Sequence, residues 1–257
     1  MKRKNHKKVI KPEISANRPN SKALDSYLTY CGFYDYVGYP KVQADTNFVE
    51  NDVVKIELER DNDKIETRCR QITNLIKEKS TLPPDNIERV QCMVIPEIIN
   101  NVTEHGQNCI DKGWWMLAQY HKNHKIISIC IADNGLGIKD SLLTGPQHED
   151  IKQKAKSFLN EDGNFIELAF TQQVSGAAEA NLKNIKEMFH DRYPKGSNRG
   201  NGLKRIKQAC AQCSIKLSVF SQKGYIIYDK QGKLIEKRSY TNRIFGGTMY
   251  NLIIPAR

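Results

Sequence analysis

The chain has 257 residues, of which 39% are hydrophobic and 27% are charged, so it can bury the core of one large domain or two small ones. No apolar run approaches the roughly 20 residues that cross a bilayer, and no apolar stretch follows the basic N-terminus as in a secretory signal. The seven cysteines are an odd number, which argues against a disulfide framework. We therefore expect a soluble cytoplasmic protein with no membrane association.

The positive charge is concentrated at the N-terminus. The chain has 40 Lys and Arg against 29 Asp and Glu, a net charge of +11. Residues 1–11 hold six basic residues and no acid, so over half of the surplus lies there. We predict a flexible basic arm over residues 1–20, which could bind nucleic acid.

The next part of the chain predicts an extension and two helices. Residues 21–59 read as an extension packed on the body, and their last residues, 53–59, alternate like a strand. Apolar residues at helical spacing predict a helix over 63–79. A second helix is expected from Pro84 onward, and Pro96 inside it predicts a kink or a new turn.

The remaining chain is richer in strands. Strands are predicted at 114–121, 125–133, 215–221, 224–230 and 246–255. A helix is expected over 202–214, a basic polar loop before the last strand, and at least one helix within the polar segment 139–199. This order predicts an α+β fold, namely a two-layer sandwich with helices on one face of a mixed, mostly antiparallel sheet.

The helix that contains Pro96 carries the first group of candidate functional residues. Glu97, Asn101 and His105 are four residues apart and therefore project from one face. An amide oxygen such as that of Asn101 is a hard ligand that suits Mg²⁺ together with phosphate oxygens. A carboxylate such as that of Glu97 can position or deprotonate a nucleophile beside that metal. His105 is expected to be structural.

Three glycine-containing segments complete the candidate site. Asp133 ends a strand and is followed by Gly135 and Gly137, which leave room for a ligand beside a carboxylate that can accept from an exocyclic amine. Gly200 and Gly202 precede a helix, whose exposed N–H groups and positive end suit a phosphate. The fourth segment, 246–248, opens the last strand.

In order and context, these segments resemble the motifs of the GHKL ATPases, which include gyrase-type topoisomerases, sensor histidine kinases and anti-sigma serine kinases. Residues 97–101 resemble the N box, residues 133–137 the G1 box and residues 200–203 the G2 box. Residues 246–248 resemble the last glycine–threonine element. The resemblance covers about 60–257, which would be one ATP-binding domain.

The resemblance implies a Bergerat-type fold that binds ATP and Mg²⁺. Asn101 would bind the metal, and Glu97 would be the general base. Asp133 would accept from the adenine amine, with help from Thr248 directly or through a water. The residues implied to contact the nucleotide are Asn101, Asp133, Gly135, Gly137, Ile138, Gly200, Asn201, Gly202, Leu203 and Thr248. Residues 139–199 would form a long ATP lid, which would explain an otherwise anomalous loop.

Among the branches of this family, the chain is most similar to the small stand-alone anti-sigma kinases. Only His6 precedes the N box, so a self-contained histidine kinase is not expected, and the chain ends too soon for a topoisomerase transducer domain. We therefore expect an enzyme that hydrolyses ATP or phosphorylates a protein partner in bacterial signalling, with a STAS-like antagonist as a candidate partner. A nucleotide-gated binding switch without turnover and a nucleic-acid-associated ATPase remain alternatives, and a homodimer is left open.

Overall fold

A computed structural model describes residues 18–38, 52–59, 64–106, 113–145, 149–158, 161–172, 201–241 and 245–257. Most of the predicted basic arm, 1–17, lies outside this part of the chain. Within these ranges, none of the helices has the length and apolar character needed to cross a bilayer.

The described ranges form helices and strands. The helices are α1 (Lys22–Tyr30), α2 (Phe33–Val37), α3 (Ile65–Lys79), α4 (Pro84–Arg89), α5 (Ile95–Gly106), α6 (Gly137–Thr144), α7 (Glu149–Lys156), α8 (Asp162–Thr171) and α9 (Gly202–Gln212). The strands are β1 (Val53–Glu59), β2 (Trp114–His121), β3 (Ile126–Asp133), β4 (Lys216–Gln222), β5 (Gly224–Tyr228), β6 (Leu234–Ser239) and β7 (Phe245–Pro255).

The strands form one seven-stranded sheet in the order β1-β2-β3-β7-β4-β5-β6. Every neighbouring pair is antiparallel. The predicted α+β class with an antiparallel sheet is confirmed. Because β7 inserts between β3 and β4, the C-terminal strand occupies the centre of the sheet, with the predicted site motifs on or beside it.

The hydrophobic core lies between the helices and one face of this sheet. Alternate residues of β3 are buried, as expected for a strand with one covered face. Ile127, Ile129 and Ile131 belong to a single core cluster. That cluster also contains buried residues of α3, α5, α8 and α9, so these helices cover the same face.

The helix around Pro96 contains a π-helical turn, Val90–Val94, between α4 and α5. At its end, the N–H of Ile95 donates to the carbonyl of Val90, five residues earlier rather than four. Proline has no N–H to donate, so a regular helix would lose a hydrogen bond at Pro96. The wider turn accommodates this loss just before the proline, and α5 then continues through Glu97 and Asn101.

One segment differs from its prediction. The predicted polar loop before the last strand is wrong, because residues 234–239 form β6, which pairs with β5. As an edge strand with mostly exposed side chains, β6 lacks the apolar alternation of the inner strands. The predicted strand over 53–59 is confirmed as β1, which pairs with β2, and α2 packs on it, with the Tyr36 ring 6.2 Å from that of Trp115.

The first part of the predicted lid is helical. The described residues within 139–172 contribute to α6, α7 and α8, and α8 packs on β5 and β6 with Phe165 and Phe170 buried. An ion pair of 2.9 Å between Lys139 and the buried Asp162 joins α6 to α8. The rest of the predicted lid, 173–199, lies outside the described residues.

Candidate functional site

The first half of the candidate site lies where α5 faces the start of α9. Glu97 is 5% exposed, and its Oε1 lies 3.1 Å from Nη1 of Arg205 on α9. A Cβ atom added to Gly202 would lie 3.0 Å from Oε2 of Glu97 and 3.9 Å from Oδ1 of Asn101. The structure therefore brings Glu97, Asn101 and Gly202 together, as the motifs predict.

Asn101 carries a buried amide nitrogen, Nδ2, with no hydrogen-bond partner among the described residues. Buried polar groups are normally paired, so an unpartnered amide beside a carboxylate indicates a position that a polar ligand can complete. No group of three or more His, Cys, Asp or Glu side chains that could hold a metal occurs in the described ranges. A metal here would need Asn101 and oxygens from a ligand and water, and Mg²⁺ accepts such a set.

The start of α9 is not capped by its own N-cap residue. Asn201 occupies the N-cap position, but its side chain makes no capping hydrogen bond, and the first N–H groups of a helix can donate to an anionic ligand. Leu203 packs against the core and fixes the helix in place. Gly200, which was predicted to contact the phosphates, lies outside the described residues.

The second half of the site surrounds Asp133 at the end of β3. The side chain is 2% exposed, and its Oδ1 accepts the N–H of Gly135 at 2.7 Å. The carboxylate also accepts the N–H of Thr248. Burial raises the pKa of the Asp133 carboxyl to about 7, against the lowering effect of these two hydrogen bonds.

Gly247 provides the space in which this carboxylate fits. Its φ is +92°, a backbone conformation that glycine adopts without strain. A Cβ atom on Gly247 would lie 2.2 Å from the carbonyl oxygen of Asp133 and 2.6 Å from its Oδ1. The backbone of β7 therefore presses directly against Asp133, and Thr248, 5% exposed, follows at once.

The loop after Asp133 contacts two residues of β4, Ser221 and Gln222, that no sequence motif indicates. Ser221 Oγ accepts the N–H of Ile138 at 2.8 Å. Gly137 has a φ of +75°, and a Cβ there would lie 2.7 Å from Cγ of Gln222. Gln222 also donates from Nε2 to Oδ2 of Asp140 at 2.6 Å. These contacts fix the predicted positions of Gly137 and Ile138 at the start of α6.

Ser221 also contacts the fourth motif. It donates to the carbonyl of Gly247 at 3.0 Å, and its Oγ lies 3.1 Å from Oγ1 of Thr248. Ser221 and Thr248 face each other in the pairing of β4 with β7. The only sequence signal for Ser221 is its place at the end of a strand, because the pairing joins segments that are not consecutive in the chain.

The two halves of the site are linked through the core. Helix α5 packs against β3 and β7, the strands that carry Asp133 and Thr248. The four motifs therefore lie on adjoining elements. The sheet carries the buried carboxylate of Asp133 and the hydroxyl of Thr248, and the helices carry the carboxylate of Glu97, the amide of Asn101 and the N-terminus of α9. Such a set can hold an amino group at one end and an anionic group with its counter-ion at the other.

No protein-family model matches the chain, and no curated protein sequence matches it.

Proposed function

We propose that this protein binds ATP with Mg²⁺ in a Bergerat-type site of the GHKL family, and that it hydrolyses ATP or transfers its γ-phosphate to a protein. The observation that carries the proposal is the meeting of four distant segments on α5, β3, β7 and α9. The buried Asp133 with its two backbone donors would accept from the adenine amine. The start of α9 would receive phosphate oxygens.

The residues of α5 fit the reacting end of the nucleotide. Asn101 would hold Mg²⁺ through its amide oxygen, and the metal would neutralise charge on the phosphates. Glu97 would accept the proton of the attacking water or hydroxyl. Arg205 holds the Glu97 carboxylate at 3.1 Å and would orient it until phosphate oxygens compete for the guanidinium.

Substitution of the proposed base separates chemistry from binding. Glu97→Gln removes the acceptor for the proton but keeps the size of the side chain, so turnover should fall by at least about 10²-fold while ATP affinity changes little. Phosphate release and equilibrium binding of labelled ATP measure the two quantities. The matched control is Glu66→Gln, the same change on an exposed residue of α3, which should leave both unchanged. Normal turnover by Glu97→Gln would falsify the assignment of the base.

The ion pair between Glu97 and Arg205 also favours a second candidate function. If nucleotide does not displace Arg205, the base stays engaged, and the protein acts as a nucleotide-gated switch that binds a partner without turnover. Saturable ATP binding without phosphate release, in the presence and absence of a STAS-like partner, would support the switch. The proposed protein partner and the nucleic-acid alternative through residues 1–11 both stay predictions.

A further inference from the structure

The hydrogen bonds of Ser221 form a closed set. A serine hydroxyl has one proton and two acceptor positions. The N–H of Ile138 can only donate, so its 2.8 Å contact with Ser221 Oγ uses one acceptor position. The carbonyl of Gly247 can only accept, so its 3.0 Å contact takes the proton.

The third hydrogen bond of Ser221 then has only one possible direction. The contact of 3.1 Å between the Ser221 and Thr248 hydroxyls has to be donated by Thr248, because Ser221 has no second proton. The two hydroxyl oxygens and the Gly247 carbonyl oxygen belong to buried residues, since Ser221 is 2% and Thr248 5% exposed and Gly247 is buried as well. Bulk water therefore does not compete for these hydrogen bonds. Because its proton is used in this bond, the Thr248 hydroxyl can only accept a hydrogen bond from a ligand.

Asp133 adds a second acceptor at the same end of the site. Its carboxylate already receives the N–H groups of Gly135 and Thr248, and in the ionised form it has no proton to donate. The Asp133 carboxylate and the Thr248 hydroxyl therefore both require a donor. An amino group satisfies this requirement, whereas an oxo group leaves the buried oxygens facing another acceptor.

We propose that Ser221 is a specificity-determining positioning residue: by taking the Thr248 proton, it makes this end of the site select a 6-amino purine over a 6-oxo purine. The inference rests on the proposed function and extends it to a residue that never needs to touch the nucleotide. Without Ser221, the Thr248 hydroxyl can turn and donate, and the discrimination against an oxo group weakens.

The experiment compares the dissociation constants of ATP and inosine triphosphate, which replaces the 6-amino group by an oxygen. It is run at pH 8.5, above the pKa of about 7 to which burial raises Asp133, so that the carboxylate is ionised. We expect the wild type to bind ATP more tightly than inosine triphosphate. Ser221→Ala should reduce the ratio of the two dissociation constants about tenfold, as for the loss of one buried hydrogen bond. Ser221→Thr, which keeps a hydroxyl, should retain the preference.

The matched control is Ser218→Ala, a buried serine on the other face of the same strand, which should leave the preference unchanged. Thr248→Val serves as a second variant that leaves the bonds of Ser221 to Ile138 and Gly247 intact. Because Thr248 accepts from the ligand in this proposal, the valine should weaken ATP binding and leave inosine triphosphate binding unchanged.

Several results would overturn the proposal. One is equal affinity of the wild type for both nucleotides. Another is an equal fold-loss of affinity for ATP and for inosine triphosphate in Ser221→Ala. The third is a larger loss of affinity for inosine triphosphate than for ATP in Thr248→Val. A proportional loss would make Ser221 merely structural and leave the proposed ATP site standing. Failure of the folded wild type to bind either nucleotide would instead overturn the proposed function, and this inference with it.

Discussion

At the scale of single residues, Asp133 combines deep burial with an ionisable group. Burial raises its pKa from an ordinary 3.8 to about 7, so the folded state keeps a proton that the unfolded chain has released between these pH values. The contribution of Asp133 to the free energy of unfolding should therefore fall as the pH rises from about 4 to 7. The slope from this one group is up to about 1.4 kcal/mol per pH unit.

Asp133→Asn isolates this effect, because the asparagine has no proton to lose and its oxygen can still accept the N–H of Gly135. The difference in unfolding free energy, wild type minus variant, should decrease between pH 4 and 7 and become constant above the folded pKa. Urea denaturation across this range measures it. A difference that does not change with pH would contradict the raised pKa of Asp133.

Gly247 and Gly246 provide a matched pair of glycine substitutions. Gly247→Ala forces a side chain into a positive φ and toward the backbone of Asp133, 2.2 Å away. The strain alone should cost about 1–3 kcal/mol of stability, and nucleotide binding should fall because Asp133 is displaced. Gly246→Ala should be nearly neutral, since the nearest atom that the described residues place beside its added Cβ is 3.9 Å away. Thermal unfolding and ATP binding compare the two, and similar effects from both variants would contradict the close packing at Gly247.

At the scale of elements, a buried arginine of α3 is hydrogen-bonded to two strands at the edge of the sheet. Arg68 is 3% exposed and donates from Nη2 to the carbonyls of Lys55 on β1 at 2.6 Å and Met116 on β2 at 3.1 Å. Its Nε lies 3.4 Å from Oε1 of Glu59, which is also buried. One side chain of α3 therefore joins two strands.

Removing this arginine should be far more damaging than removing its exposed neighbour. Arg68→Met leaves the Glu59 carboxylate buried without its partner, which typically costs about 3–5 kcal/mol. Arg70→Met breaks only the exposed pair with Glu66, and such pairs contribute about 0–1 kcal/mol. Urea denaturation of both variants tests the contrast, and a loss below about 1 kcal/mol for Arg68→Met would contradict it.

The sequence predicts elements well where apolar residues follow a regular period. Strands β3 and β7 and helices α3 and α9 appear at the predicted places because each covers or forms one side of the core. Strand β6 escapes prediction because an edge strand exposes its side chains. The sequence predicts at least one helix within 139–199 but does not place α8, because the short apolar stretch of α8 lies between polar segments.

In the candidate site, too, features local in the sequence were predictable and contacts between distant elements were not. Asp133, Gly135 and Gly137 were predictable because they lie next to each other in the chain. The contacts of Ser221 with Thr248 and of Arg205 with Glu97 were not, since each depends on how distant elements pack. The π-helical turn was partly predictable, because Pro96 requires an irregular helix but does not determine its form.

At the scale of the whole molecule, the positive charge is not confined to the N-terminal arm. Residues 201–257 hold 11 Lys and Arg against 2 Asp and Glu, and three of these bases, Lys204, Arg205 and Lys207, lie on α9. A basic region at the proposed phosphate-binding end attracts polyanions in general. Net charge therefore does not distinguish ATP from nucleic acid, and the distinction has to come from the site itself.

We propose that these four segments form one site for ATP and Mg²⁺, and an equilibrium titration of labelled ATP tests whether they do. We predict saturable binding of one ATP per wild-type chain, weaker binding when Mg²⁺ is removed, and no measurable binding by Asp133→Asn, whose fold is checked by circular dichroism. The absence of saturable binding by the folded wild type, or unchanged affinity in Asp133→Asn, would contradict the account.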